Sequence, residues 1–231
     1  MDSSTEQTEF GQKPLSKAEY VLQRLRKELQ SGNILPGAQL RQTEISVRYG
    51  VSATPVREAM RRLESEGLIN YSPHRGATVT EMSRQDLRDL YLFRAEVEGF
   101  LAKLATERAN GESLAMLRKL QDDMRQLANE GASAASLSRQ NREFHLALMQ
   151  VGSPYIADQV MRPLWEKAIP SSESMWDSRD HVDRFLEEHE AVLSAMEAGQ
   201  PEEACRHMAE HVLVAFNERQ ARSSRNGKWN N

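Results

Sequence analysis

The chain has 231 residues, of which 39% are hydrophobic and 28% charged, with a formal net charge of −4. That balance suits one large or two small globular domains, and no apolar run approaches the length needed to cross a bilayer, so no membrane partner is expected. A single cysteine, Cys205, excludes an internal disulfide and fits a reducing, cytoplasmic setting.

Charge is unevenly spread. Residues 13–80 hold eleven Lys and Arg against six Asp and Glu, whereas the part after residue 81 is net acidic. A basic module joined to an acidic one implies that only the first meets a phosphate backbone. Residues 1–13 and 223–231 are polar, lack a signal-peptide pattern and read as disordered tails.

In chain order, Leu15, Ala18, Val21, Leu22, Leu25 and Leu29 follow helical spacing up to Gly32, and Leu35-Pro36-Gly37 forms a turn. Short helices are predicted over 43–49 and 53–66, with Gly50-Val51 as the turn between them. Ser52 stands as N-cap of the second, and Pro55 is tolerated in its first turn. Two strand-like segments, 66–69 and 77–80, flank a polar tip at 72–76. The order helix, turn, helix, then two strands around a basic tip is that of a winged helix-turn-helix, here over residues 14–81. After Met82 no strand is evident. Ser83-Arg-Gln-Asp86 reads as a capping box opening a helix to about 109. Further amphipathic helices are predicted near 112–129, 135–151, 154–168, 180–198 and 201–221. The fold class is therefore mainly α: a winged helix-turn-helix followed by an all-α bundle of about six helices over residues 82–222.

Two constellations carry chemistry. Helix 53–66 bears Arg57, Arg61 and Arg62, and Arg75 sits at the wing tip; a guanidinium fork can take guanine O6 and N7 together or clamp a phosphate. Residues near the N-terminus of such a helix are best placed for base edges, which favours Thr54 and Arg57. In the second half, a rotation of 100° per residue puts His189 at the centre of the apolar stripe of its helix and His211 near the middle of the next. Asn141 lies near a stripe centre and His145 at its edge, one turn apart. Each imidazole in an apolar interior needs a polar partner, and a shared divalent metal would satisfy all three. Separate, individually satisfied core histidines are the alternative on spacing alone.

Several of these stretches resemble the GntR family of bacterial transcription regulators: Gly32-Asn-Ile-Leu-Pro-Gly37, Val51-Ser-Ala-Thr-Pro-Val-Arg-Glu-Ala59, Leu63-Glu-Ser-Glu-Gly-Leu68 and Arg75-Gly76-Ala77. The second half resembles the FCD effector domain of the FadR and VanR branches through Arg94-Ala-Glu-Val-Glu98, Asn141-Arg-Glu-Phe-His145, His189 and Ala204-Cys-Arg-His-Met-Ala-Glu-His211. The resemblance implies a DNA-binding regulator, a repressor in expectation, working as a homodimer on palindromic double-stranded DNA and released by a small organic acid. The expected DNA-contacting set is Arg41, Thr43, Ser52, Thr54, Arg57, Arg61, Arg75 and Gly76. The implied metal set is Asn141, His145, His189 and His211, holding zinc, nickel or manganese, with Arg94 on the effector carboxylate. On the residues alone, an intrahelical pairing of Arg94 with Glu98 is the alternative.

Two positions depart from the family pattern. Ala53 stands where an arginine is usual, which implies an altered operator. Asn141 stands where an aspartate is usual; its neutral amide removes one negative charge, so a weaker hold on the metal is expected. Two other functions are compatible with parts of the sequence. In one, the helical domain only dimerises. In the other, a metal-dependent hydrolase is fused to a DNA-binding head, a reading prompted by His207-Met-Ala-Glu-His211, which has the spacing of a metallopeptidase motif. On a packed helix, however, Glu210 would face solvent, and no inward carboxylate is in place to act as base.

Overall fold

The computed structural model describes residues 15–30, 33–72, 76–168, 176 and 178–225. The chain divides into two compact units, Met1–Glu28 with Gly37–Thr80, and Leu29–Pro36 with Glu81–Asn231.

In the first unit, α1 (Lys17–Gln30) buries Ala18, Val21, Leu22 and Leu25 along one stripe. Helices α2 (Gln42–Tyr49) and α3 (Ala53–Ser65) are separated by Gly50, whose φ of 64° and amide bonds back to the carbonyls of Ser46 and Val47 turn the chain sharply. A left-handed residue at this point suits glycine because no Cβ meets the following carbonyl. Helix α3 buries Val56, Ala59, Met60 and Leu63. Ser52 does stand at its N-cap, but its hydroxyl makes no capping bond, so the expected cap is positional only. The sheet has three strands, not two: β1 (Gln39–Leu40) pairs antiparallel with β3 (Gly76–Val79), which pairs with β2 (Ile69–Ser72). A two-residue strand is too short to leave a periodic signal. Ion pairs Arg48–Glu28 and Arg62–Glu19, each at 2.8 Å, and a double contact of Arg26 with Glu66 tie the helices together.

The second unit is helical, with no strand among its described residues. It contains α4 (Arg84–Arg108), α5 (Gly111–Asn129), α6 (Ala134–Gly152), α7 (Pro154–Ile156), a π-helical stretch at Ala157–Met161, α8 (Arg162–Ala168), α9 (Arg179–Glu197) and α10 (Pro201–Arg225). The helix predicted over 154–168 is thus interrupted by wider turns. At the start of α4, the Ser83 hydroxyl accepts from the Asp86 amide and donates to its carboxylate; the reciprocal half of the predicted capping box is missing. A reciprocal box occurs instead at Asn110 and Ser113, opening α5. Helix α6 presses against α4 so closely that a Cβ on Gly152 would lie 2.3 Å from the Leu101 carbonyl oxygen. This contact sets α6 beside α4, and α10 packs along α4 and α9. No helix among the described residues is long and apolar enough to cross a membrane.

Candidate DNA interface and candidate metal centre

On α3 the buried face fixes what the opposite face presents. Thr54, Arg57 and Arg61 are exposed there, at positions spaced for one stripe. Neither Arg57 nor Arg61 has a side-chain partner among the described residues, whereas Arg62 is held by Glu19. The two free guanidiniums can meet a phosphate or a base edge without breaking anything. Ser52 and Ala53 are exposed at the same end of the helix. Arg41 and Thr43, at the start of α2, line one cleft with Gly76 and Tyr71. Here the Tyr71 hydroxyl accepts a bond from Gln42 at 3.1 Å, joining strand β2 to the first turn of α2. Gly76 has a φ of 73° and open space where a Cβ would stand, so its backbone is accessible. Arg75 lies outside the described residues. Arg41 is drawn toward Glu44, 3.5 Å away.

The second constellation is interior. His145 on α6, His189 on α9 and His211 on α10 point their Nε2 atoms at one another, with separations of 3.1, 3.2 and 3.2 Å. All three are buried. Each Nδ1 is engaged elsewhere: His145 with Glu98 at 2.9 Å, His189 with the Gln121 amide oxygen at 3.2 Å, and His211 with Glu188 at 2.7 Å. The Gln121 oxygen must accept, because its amide nitrogen already donates to the Leu186 carbonyl. These acceptors place the ring proton on Nδ1 and leave three Nε2 lone pairs converging on one point.

Burial disfavours a charge on His145 and His189. It drives His145 down to about 4 despite Glu98, and His189 well below the ordinary imidazole value, with the neighbouring histidines adding to the effect. Imidazole nitrogens whose lone pairs converge on one point are a donor set suited to a cation. Three nitrogens bound at about 2.0–2.1 Å to one ion stand roughly 2.9–3.4 Å apart, the range seen here. The Asn141 Oδ1, one helical turn before His145, is buried without a hydrogen-bond partner among the described residues. An orphaned amide oxygen costs about 1–3 kcal/mol unless something satisfies it, and a cation would. The donor set therefore fits a divalent metal.

Behind the histidines lies Glu98, fully buried, accepting from Arg94 at 2.7 Å, His145 at 2.9 Å and the Trp165 indole at 3.0 Å. Burial opposes its charge, but Arg94 and His145 together hold its carboxyl down to about 2. Arg94 itself is buried between the rings of Tyr91 and Trp165, at 4.7 and 4.3 Å. The structure thus gives Arg94 the intrahelical pairing with Glu98 and links it to the histidines through that carboxylate. The metallopeptidase spacing does not assemble. His207 and Glu210 both contact Arg206 on the outer side of α10, and only His211 of that trio joins the cluster.

A model of bacterial regulatory proteins of the gntR family matches residues 17–79, and one of the FCD domain matches residues 89–213. The chain belongs to the gntR family of transcription regulators and carries an FCD domain. Among its relatives, the HTH-type transcriptional regulator McbR of Escherichia coli is 28% identical over 82% of this chain and 86% of its own. The HTH-type transcriptional repressor RspR of the same organism is 28% identical over 89% of this chain and 90% of its own. Among solved structures, E. coli McbR/YncC superposes with a TM-score of 0.75 at 25% identity, covering 89% of this chain and 99% of that one. A GntR regulator from Rhodococcus sp. RHA1 gives 0.70 at 24% identity, covering 88% and 97%.

For this gntR-family chain, sequence reasoning named the three converging histidines and missed what positions them. Glu98, Gln121 and Glu188 come from three different helices, and a polar residue on an apolar stripe was the only signal available. Gln121 had that signal, falling four residues after Leu117 and three before Met124. Tyr71 and Gln42, which couple the wing to α2, carried none.

Proposed function

We propose that this protein is a cytoplasmic, homodimeric transcription regulator, a repressor, whose grip on a palindromic operator is set by a small organic acid bound beside a divalent metal in the helical unit. The observation that carries the reading is the meeting of three Nε2 atoms from three helices, with the buried Asn141 oxygen one helical turn before one of them. Asn141, His145, His189 and His211 would hold zinc, nickel or manganese. When bound, the metal supplies a fixed positive charge for a carboxylate. Glu98, Gln121 and Glu188 orient the three rings through Nδ1. Arg94, fastened by Glu98 behind His145, would be the partner of the acid's carboxylate. Thr54 and Arg57 read bases, Arg61 and Ser52 contact phosphates, and Arg41, Thr43, Arg75 and Gly76 form the wing-side contacts.

Homodimer formation is supported by α4, which presents Phe93 and Phe100, each nearly half exposed, on one stripe with partly buried Val97 and Leu104. Such a stripe favours burial against a second copy. The relative named as a repressor supports the sign of regulation. A hydrolase finds no support in the geometry, because Glu98 and Glu188 sit at the Nδ1 side of their histidines, away from the point where the Nε2 atoms meet.

For regulation, the acid must bind the operator-incompetent state more tightly than the competent one. The test is operator affinity measured by fluorescence anisotropy with and without candidate carboxylic acids, before and after chelation. A change of about 5–150-fold with acid, abolished by chelator, is expected. Indifference to every acid and to chelation would sink the sensor reading and leave a constitutive dimer.

A further inference from the structure

The histidine cluster is not equally deep on all sides. His145 and His189 are 2% and 0% exposed, and their Nδ1 partners Glu98 and Gln121 are both 0% exposed. His211 differs. Its partner Glu188 has a side chain 21% exposed, and both residues line a pocket of about 270 Å³ between α9 and α10. The His211 ring thus both lines the pocket and contributes one of the three converging Nε2 atoms.

The remaining lining is net acidic. Glu187, Glu188 and Glu210 stand with His207 and with Arg184, which already bonds Glu218 at 2.5 Å. Glu210 is held by Arg206, while Glu187 has no side-chain partner among the described residues. Ala191 is the small residue of the α9 wall.

We propose that this pocket is the route by which the divalent ion enters and leaves the centre, with His211 as its gate; the proposal rests on the metal-centre reading above. A negatively lined cleft concentrates a cation and raises its rate of arrival, by 10–10³-fold in favourable cases. The same lining repels a carboxylate, so the acid effector does not share this entrance. Passage requires the His211 ring to turn and to give up one hydrogen bond to Glu188, a small local motion at the least buried of the three ligands.

The test follows Zn²⁺ uptake by the metal-free full-length chain, and its transfer to a chromophoric chelator, by stopped flow. Two variants avoid the ligands and their Nδ1 partners: Ala191→Phe, which fills the pocket, and the double change Glu187→Gln with Glu210→Gln, which removes charge. Ala191→Phe should slow uptake and release together by about tenfold while leaving Kd within about twofold, the signature of a blocked path. The double variant should slow uptake several-fold at low salt, and the difference should vanish at high salt. Unchanged rates in a folded Ala191→Phe protein, or a change in release alone, would overturn the route. If Ala191→Phe does not fold, the charge variant decides, and an uptake rate equal to wild type at low salt overturns the proposal. Failure of the wild-type chain to take up Zn²⁺ at all would overturn the metal centre itself. Tight binding with rates indifferent to both variants would overturn only the route.

Discussion

The two units display their working groups in opposite ways. In the first, Arg57 and Arg61 stand exposed and without partners among the described residues, while neighbouring arginines of similar appearance, Arg48 and Arg62, are spent on Glu28 and Glu19. In the second, the Nδ1 of each of three buried histidines is held by another side chain, and a buried ion pair stands behind them. A surface that reads DNA must be free to change partners. A site that holds a metal must be fixed before the metal comes. Substitutions should therefore separate binding from stability in the first unit and couple them in the second.

The largest effect is expected behind the histidines. Glu98→Ala would leave the Arg94 guanidinium buried without its counter-charge and His145 without its acceptor. Removing one partner of a buried pair costs about 3–5 kcal/mol, so urea unfolding of the metal-free chain should show a loss of that order. A loss below about 1 kcal/mol would mean the pair is far wetter than its burial implies. Next comes His189→Ala. Saturating Zn²⁺ at a thousand times Kd should stabilise the wild-type chain by about 4 kcal/mol, and thermal melts of the variant should show none of that gain. An equal metal-dependent shift in both proteins would remove His189 from the centre.

The sequence made the two regions legible to different degrees, for physical reasons. Helices long enough to repeat their apolar spacing, such as α5, α9 and α10, end within a residue or a few of where periodicity and Gly or Pro punctuation put them. Strand β1 escaped because two residues carry no period. The π-helical turn at Ala157–Met161 escaped because a widened turn changes hydrogen bonding without changing composition. In the site, His189 and His211 were visible because a histidine among Val, Leu and Met on one helical face is conspicuous. Their mutual distances were not visible, since three helices meet there only through tertiary packing. The free and the engaged arginines of α3 looked alike in sequence; only the position of Glu19 on α1 tells Arg61 from Arg62.

That last distinction gives a middle-sized test. Arg57→Ala should weaken operator binding by about 1–3 kcal/mol, roughly 5- to 150-fold, and relax preference at one base position. Its melting temperature should stay at the wild-type value, because no partner is lost. Arg62→Ala, which breaks a largely exposed pair with Glu19, should cost about 0–1 kcal/mol of stability and have a smaller effect on the operator. If both variants lose binding equally, freedom from partners is not what selects the reading arginine.

The smallest effects come from the two departures from family pattern, one in each unit, and they should differ in kind. Asn141→Asp places a carboxylate where a neutral amide oxygen already lacks a donor. Without metal the added charge has no partner and should lower stability; with metal it gains a direct counter-charge. The gap between metal-free and Zn²⁺-bound melting temperatures should therefore widen, with Zn²⁺ affinity rising about tenfold, or roughly 1.4 kcal/mol. Ala53→Arg, at the exposed first residue of α3, disturbs neither packing nor any bond. Stability should stay within about 0.5 kcal/mol. Operator affinity should rise only a few-fold, and the slope of log affinity against log salt should steepen by about 0.9, the mark of one new phosphate contact. A steeper slope with unaltered sequence preference would assign position 53 to the backbone. An altered preference with an unaltered slope would assign it to a base. Either outcome leaves the helical unit untouched, as expected of a surface whose groups are independent of its core.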